Sequence, residues 1–207
     1  IGFGTALAQS SQLDSAVKIF NRVIAMNLRK KSKGKGVGQP TEKLTQDTVD
    51  VYARRGEVYS AMGNLDAALL DFDAAIAILE GSSSSSGSNA NWPRIPLEPY
   101  AHLYQSRGVG WYKQAVYTKA LPDIQAADRL APNDYKTWVW MGKVLKEFAD
   151  TQGCLHALNR SLQLQPSGNK EAIMEKAIAL LEVSRWEEAI ALIEQVLALD
   201  PQHKLVS

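Results

Sequence analysis

An internal period constrains this chain more than any other feature. Gly108 and Gly142 stand 34 residues apart, as do Ala120 and Cys154, Ile124 and Leu158, Ala127 and Ser161, and Pro132 and Pro166. A step of 35 then carries Cys154, Leu158, Ser161 and Pro166 onto Ala189, Ile193, Val196 and Pro201, which places one extra residue near Asn169. Backwards, a step of 52 carries Gly108, Ala120, Ile124 and Ala127 onto Gly56, Ala68, Phe72 and Ala75, and a second such step reaches Gly4, Ala16, Phe20 and Val23. As 52 is the period plus 18, each of the first two units is followed by an insert, expected as a loop. Self-similarity at this length marks stacked supersecondary units, none of which buries its apolar face alone.

The residues that recur say what each unit is. Gly56, Gly108 and Gly142, matched by Ala68, Ala120 and Ala189 later in their units, let two helices approach closely. Phe72, Ile124, Leu158 and Ile193 follow the second small residue by four, one turn along the same helical face, and fill the space between. Pro132, Pro166 and Pro201 stop the second helix, since a ring without an N–H clashes with the preceding turn. Asn133 and Asp134 are suited to cap the helix that follows.

Laid out in order, Tyr104, Arg107-Gly108, Trp111, Ala120, Ile124, Ala127 and Pro132, and again Trp138, Met141-Gly142, Leu145, Cys154, Leu158, Ser161 and Pro166, resemble the tetratricopeptide repeat family. The departures are Arg55 and Arg107 where that pattern prefers Leu, Ala177 for the glycine of the last unit, and Glu80 for the closing proline of the second. The resemblance implies an all-α fold, a right-handed superhelical solenoid of about five antiparallel helix pairs interrupted by two loop insertions. The expected organisation is one solenoid over residues 1–207, with units at 1–30 (incomplete), 49–80, 101–134, 135–168 and 170–203, and inserts at 31–48 and 81–100. Thr41-Glu42 could start the first helix of the second unit early. The incomplete opening unit and the short Lys204–Ser207 end suggest a segment cut from a longer chain.

Composition narrows the function. A formal net charge of +1 argues against a protein whose work is neutralising a phosphate backbone, so nucleic acid is not the expected partner. Cys154 is the only cysteine, which excludes an internal disulfide and favours a reducing, intracellular compartment. No run approaches the roughly 18 apolar residues that would cross a bilayer. The first insert carries Arg29, Lys30, Lys31, Lys33 and Lys35 among glycines. It is expected to be a mobile basic loop, a solvated insert before it is an anion or RNA patch. In the second, a serine tract from Ser82 to Ser86 reads as flexible linker, and the apolar Trp92, Ile95 and Leu97 between prolines as a segment folding back on the solenoid.

No catalytic, cofactor or metal constellation emerges. His102, His156 and His203 fall at unrelated repeat positions, and Cys154 stands where other units have Ala, so it reads as core. The sequon at Asn159 places Ser161 at a core position and is set aside. The resemblance implies instead a concave groove lined by the first helix of each unit. Its positions are Gln105, Val109, Tyr112 and Lys113, then Lys136, Trp140, Lys143 and Lys146, then Met174 and Ile178 with Glu171 and Glu175. Lys136, Trp140 and Lys143, spaced i, i+4, i+7, share one helical face. That strip suits a partner peptide with acidic groups, Trp140 and Tyr112 anchoring it and the lysines acting as point charges. The competing reading packs Trp140 on a neighbouring helix and leaves the lysines solvated. The lysine and asparagine clamp by which some family members hold acidic chaperone tails is not matched, as Glu57, Ser106 and Trp140 occupy its positions. The expected function is a non-catalytic scaffold or adaptor binding a partner peptide or helix in its groove, in complex assembly. A co-chaperone module, an RNA-binding helical repeat and a regulatory segment of a larger enzyme are the alternatives.

Overall fold

A computed structural model describes residues 2–33, 42–83 and 96–199. Among them are nine α-helices, one 3-10 turn and no strand. The helices are α1 (Gly2–Lys33), α2 (Glu42–Ala61), α3 (Leu65–Ser83), α4 (Ala101–Lys113), α5 (Tyr117–Leu130), α6 (Tyr135–Glu147), α7 (Thr151–Leu164), α8 (Lys170–Glu182) and α9 (Trp186–Leu199). None of them is long and apolar enough to cross a membrane. The chain divides into two compact units, Ile1–Gly110 and Trp111–Ser207.

In the first unit α2 packs against α1 on one side and α3 on the other. The small-residue argument holds at atomic distance: a Cβ added to Gly56 on α2 would lie 2.7 Å from the ring of Phe72 on α3. Val49, Ala53, Ala68, Ala75, Ile76 and Leu79 complete the buried seam. Arg55, which stands where an apolar residue was expected, donates from Nε to Asp71 Oδ2 at 2.7 Å and also reaches Asn21 on α1. Arg107 occupies the same repeat position on α4 and meets Asp73 at 2.8 Å, with Asp73 at the repeat position of Asn21. Two irregularities of the pattern are therefore one polar device used twice.

In the second unit α6 packs on α7, and α8 on both α7 and α9. A Cβ on Gly142 would meet Leu158 Cγ at 2.8 Å, the same relation as Gly56 to Phe72. Val139, Cys154, Leu158, Ala172 and Ala179 form the buried cluster, with Leu145, Leu155 and Leu162 packed against it. Asp134 caps α6 by accepting from the amides of Lys136 and Thr137, as its position after Pro132 suggests. Asn169 does the same for α8 through the Ala172 amide. Its side-chain amide donates to Ser161 Oγ at 2.9 Å, and that hydroxyl donates to the Tyr135 carbonyl, so one buried polar chain ties α6, α7 and α8 together.

Each hairpin bends in the same way. Gly63, Ala115, Ala149 and Ser184 have φ between 57° and 77°, and stand at one repeat position. The next residue, Asn64, Val116, Asp150 or Arg185, donates its amide to the carbonyl five residues back, at 2.9 to 3.0 Å. This is the Schellman closure of a helix end, and the residue that completes it also opens the following helix. Only the first of the four is a glycine.

Two expectations are corrected. The opening unit is not a helix pair: α1 is continuous through Ser11, the position equivalent to Gly63, and since Ser10-Ser11-Gln12 lacks glycine and proline just as the Gln114-Ala115-Val116 bend does, packing and not local sequence sets which of them turns. The basic insert is not a loop from Arg29, because α1 carries Arg29, Lys30, Lys31 and Lys33 in its last turns. Long basic side chains are good helix formers there, and cations are favoured at a helix C-terminus. Similarly α3 continues to Ser83 before the serine tract ends, and α2 does begin early, at Glu42. Lys35, Trp92, Ile95, Pro201 and His203 lie outside the described residues.

Candidate protein-binding wall of the second unit

The first helices of successive repeats stand side by side in this unit, α6 against α8 and the last turn of α4 against α6. Their facing side chains form one continuous sequence of contacts. The rings of Tyr117 and Tyr112 meet at a tilt of 53° with centroids 5.4 Å apart, and Tyr112 meets Trp140 edge-on at 5.5 Å between ring centroids. Lys143 Nζ lies 4.5 Å from the centre of the Trp140 ring, a cation–π contact, and from there reaches Glu171 at 2.6 Å and Glu175 at 3.5 Å. Lys146 meets Glu175 at 3.0 Å. The Tyr112 hydroxyl donates to Glu147 Oε1 at 3.1 Å.

Electrostatics follow from these contacts. Burial pushes the Tyr112 phenol up to about 12, helped by the neighbouring Glu147 carboxylate, so it stays a hydrogen-bond donor at any physiological pH. Burial works to lower Lys146, but the hydrogen bond and charge of Glu175, with Glu182 and Glu147 nearby, outweigh it and hold the ammonium above its ordinary value. Burial also drives the Cys154 thiol up to about 11, which leaves it protonated and inert in the core.

Of the positions assigned to a groove, this wall brings together Tyr112, Trp140, Lys143 and Lys146. Met174 is half-buried on α8, Ile178 remains 37% exposed, and Lys113 and Lys136 are exposed. Gln105 and Val109 are half-buried on the part of α4 that belongs to the first unit. The reading of Lys143 and Lys146 as point charges waiting for an acidic ligand is corrected: both are engaged by glutamates of α8. Nor are they merely solvated, since the side chain of Lys143 is only 14% exposed. Spacing shows which residues share a face of one helix. It does not show that Lys143 lies level with Glu171, 28 residues on, and the signal for that was the run of glutamates on the matching face of α8.

Comparison with known proteins gives the same answer as the hairpins. The tetratricopeptide repeat model matches residues 49–79, which span most of α2 and α3. Over those residues the chain matches a tetratricopeptide repeat. Over 109 residues it is 27% identical to superkiller protein 3 of Saccharomyces cerevisiae; this is 51% of the chain and spans only 7% of that protein's length. Among solved structures, MamA superposes with a TM-score of 0.66 at 14% identity, covering 91% of this chain and 89% of MamA. YrrB, described as a TPR protein with an unusual peptide-binding site, superposes with a TM-score of 0.63 at 17% identity, over 98% of this chain and 86% of its own. At these identities the likeness is one of fold. The tetratricopeptide fold is a scaffold for protein–protein interaction, and the proteins that share it are typically non-catalytic.

Proposed function

We propose that this tetratricopeptide-repeat chain is a non-catalytic adaptor that holds a peptide or helix of a partner protein along the wall of α6 and α8, as part of complex assembly. The observation that carries the reading is the ordered row Tyr112, Trp140, Lys143 and Glu171, in which aromatic rings and charges are fixed by one another before any ligand arrives. Side chains already held in place lose little freedom on binding, and that preorganisation is what a docking surface needs. Ile178, exposed on the same wall, supplies apolar surface beside them.

The test is affinity capture with the intact chain beside a Trp140→Ala, Ile178→Ser variant whose helical circular dichroism matches the parent. Partners recovered by the parent are expected to be depleted with the variant. Recovery of the same proteins in equal amounts by both would show that binding occurs elsewhere.

A further inference from the structure

We propose that the segment held on this wall is a cationic amphipathic one, bearing Lys or Arg beside apolar residues, and not an acidic peptide. This rests on the reading of the wall as the binding surface and adds the chemistry of its occupant.

The argument begins with which charges are presented outward. Lys143 and Lys146 have side chains 14% and 20% exposed, and their ammonium groups are taken up by Glu171 and Glu175. Glu171 is the outer member of its pair, with 57% of its side chain open. Glu147 and Glu182 are also exposed, so around these two lysines stand four carboxylates. An arriving anion meets carboxylates before it meets an ammonium group, and to reach Lys143 it has to displace Glu171.

Position sharpens the sign. Glu147 and Glu182 occupy the same repeat position, and each is the last residue of its helix, α6 and α8. A carboxylate there faces the negative end of the helix dipole and is disfavoured. A cation placed beside it relieves that repulsion and adds its own attraction. α8 offers no basic residue of its own in its last turn. The apolar component lies on the same stripe: Glu171, Glu175, Ile178 and Glu182 fall at i, i+4, i+7 and i+11, which sets exposed Ile178 between carboxylates. Of the exposed lysines of the wall, Lys136 lies in the first turn of α6, at the opposite end, and Lys113 closes α4, two repeats before the end of α8. A segment with one apolar residue flanked by basic ones matches the C-terminal half of α8 in both respects.

Two labelled peptides of about fourteen residues, four helical turns, test this on the full chain by fluorescence anisotropy. One is an amphipathic Leu/Lys sequence and the other its Leu/Glu counterpart. The Leu/Lys peptide is expected to bind about tenfold more tightly at low salt, and to lose that margin as salt approaches the ~0.1 M at which the Debye length falls to ~10 Å. A Glu171→Gln, Glu182→Gln variant of unchanged helicity is expected to weaken the Leu/Lys peptide about fivefold. Equal binding of the two peptides, or preference for Leu/Glu, overturns the inference, as does indifference of the Leu/Lys peptide to the double Gln variant. Ile178→Ser separates the two levels of the argument. If it leaves peptide binding unchanged, the wall itself is not the site; if it weakens binding while the Gln variant does not, only the charge assignment falls.

Discussion

At the scale of single residues the chain carries strain in a place that is easy to relieve. Ala149 and Ser184 sit at φ 57° and 60°, where a Cβ crowds the following carbonyl. Glycine has no such penalty, although it loses more entropy on folding, so Ala149→Gly is expected to stabilise the chain by about 0.5–1 kcal/mol, read as a higher urea midpoint at unchanged slope. The glycines of the seam behave in the opposite way. Gly142→Val would press a branched side chain into Leu158 and cost about 2 kcal/mol, and Leu158→Ala in the same chain should recover part of it in a double-mutant cycle. Asp128 gives a pH-dependent case. One of its carboxylate oxygens is buried without a hydrogen-bond partner, and burial raises its affinity for protons, while Arg160 and Arg129 pull the other way. A raised folded-state value means that the protonated form is the favoured one. The stability it brings is present below the ordinary carboxylate range and is lost as pH rises through the folded value. Asp128→Asn should therefore melt higher than the parent at pH 7, with the difference closing toward pH 3.5.

At the scale of elements the contacts between helices explain what sequence could and could not convey. The period identified Gly142 with Leu158 and Gly56 with Phe72, because a repeat spacing fixes both partners of a contact at once. The N-cap at Asp134 was legible for a local reason, its place just after Pro132. The continuity of α1 was not, since Ser10-Ser11-Gln12 differs little from the Gln114-Ala115-Val116 bend, and only the packing of two helices on each other decides whether such a stretch turns. The pairing of Arg55 with Asp71 was also hidden, as it joins residues 16 apart on different helices. Asp71 is almost wholly enclosed, so Arg55→Leu alone should leave a buried charge and cost about 3 kcal/mol. Arg55→Leu with Asp71→Leu should restore most of that loss, as read by chemical denaturation of all four chains of the cycle. An equal loss in the double variant would mean that packing rather than charge is at stake.

At the scale of the whole molecule, stability in stacked repeats is the sum of each unit and its neighbours, so order should vary along the chain. Within the second unit α6 and α7 enclose Val139, Leu158 and Cys154, whereas α9 leaves Trp186 and Ile190 about half exposed. Amide hydrogen exchange is expected to be slowest in α6 and α7 and faster in α9; uniform protection would contradict this. The fold class was legible from the period together with the residues that resemble the tetratricopeptide pattern, while the electrical character of the wall was not, because charge cancellation between helices depends on their relative height and no spacing along one helix reports it.

The hairpin bends have a further consequence. Because Asn64, Val116, Asp150 and Arg185 close them with main-chain amides, the corner needs no particular side chain to hold its shape. Phe148 and Val183, the residues just before two of those corners, point outward and are substantially exposed. These are sites at which new chemistry, such as a label, a crosslinker or a short grafted epitope, could be introduced while the paired helices on either side keep their geometry.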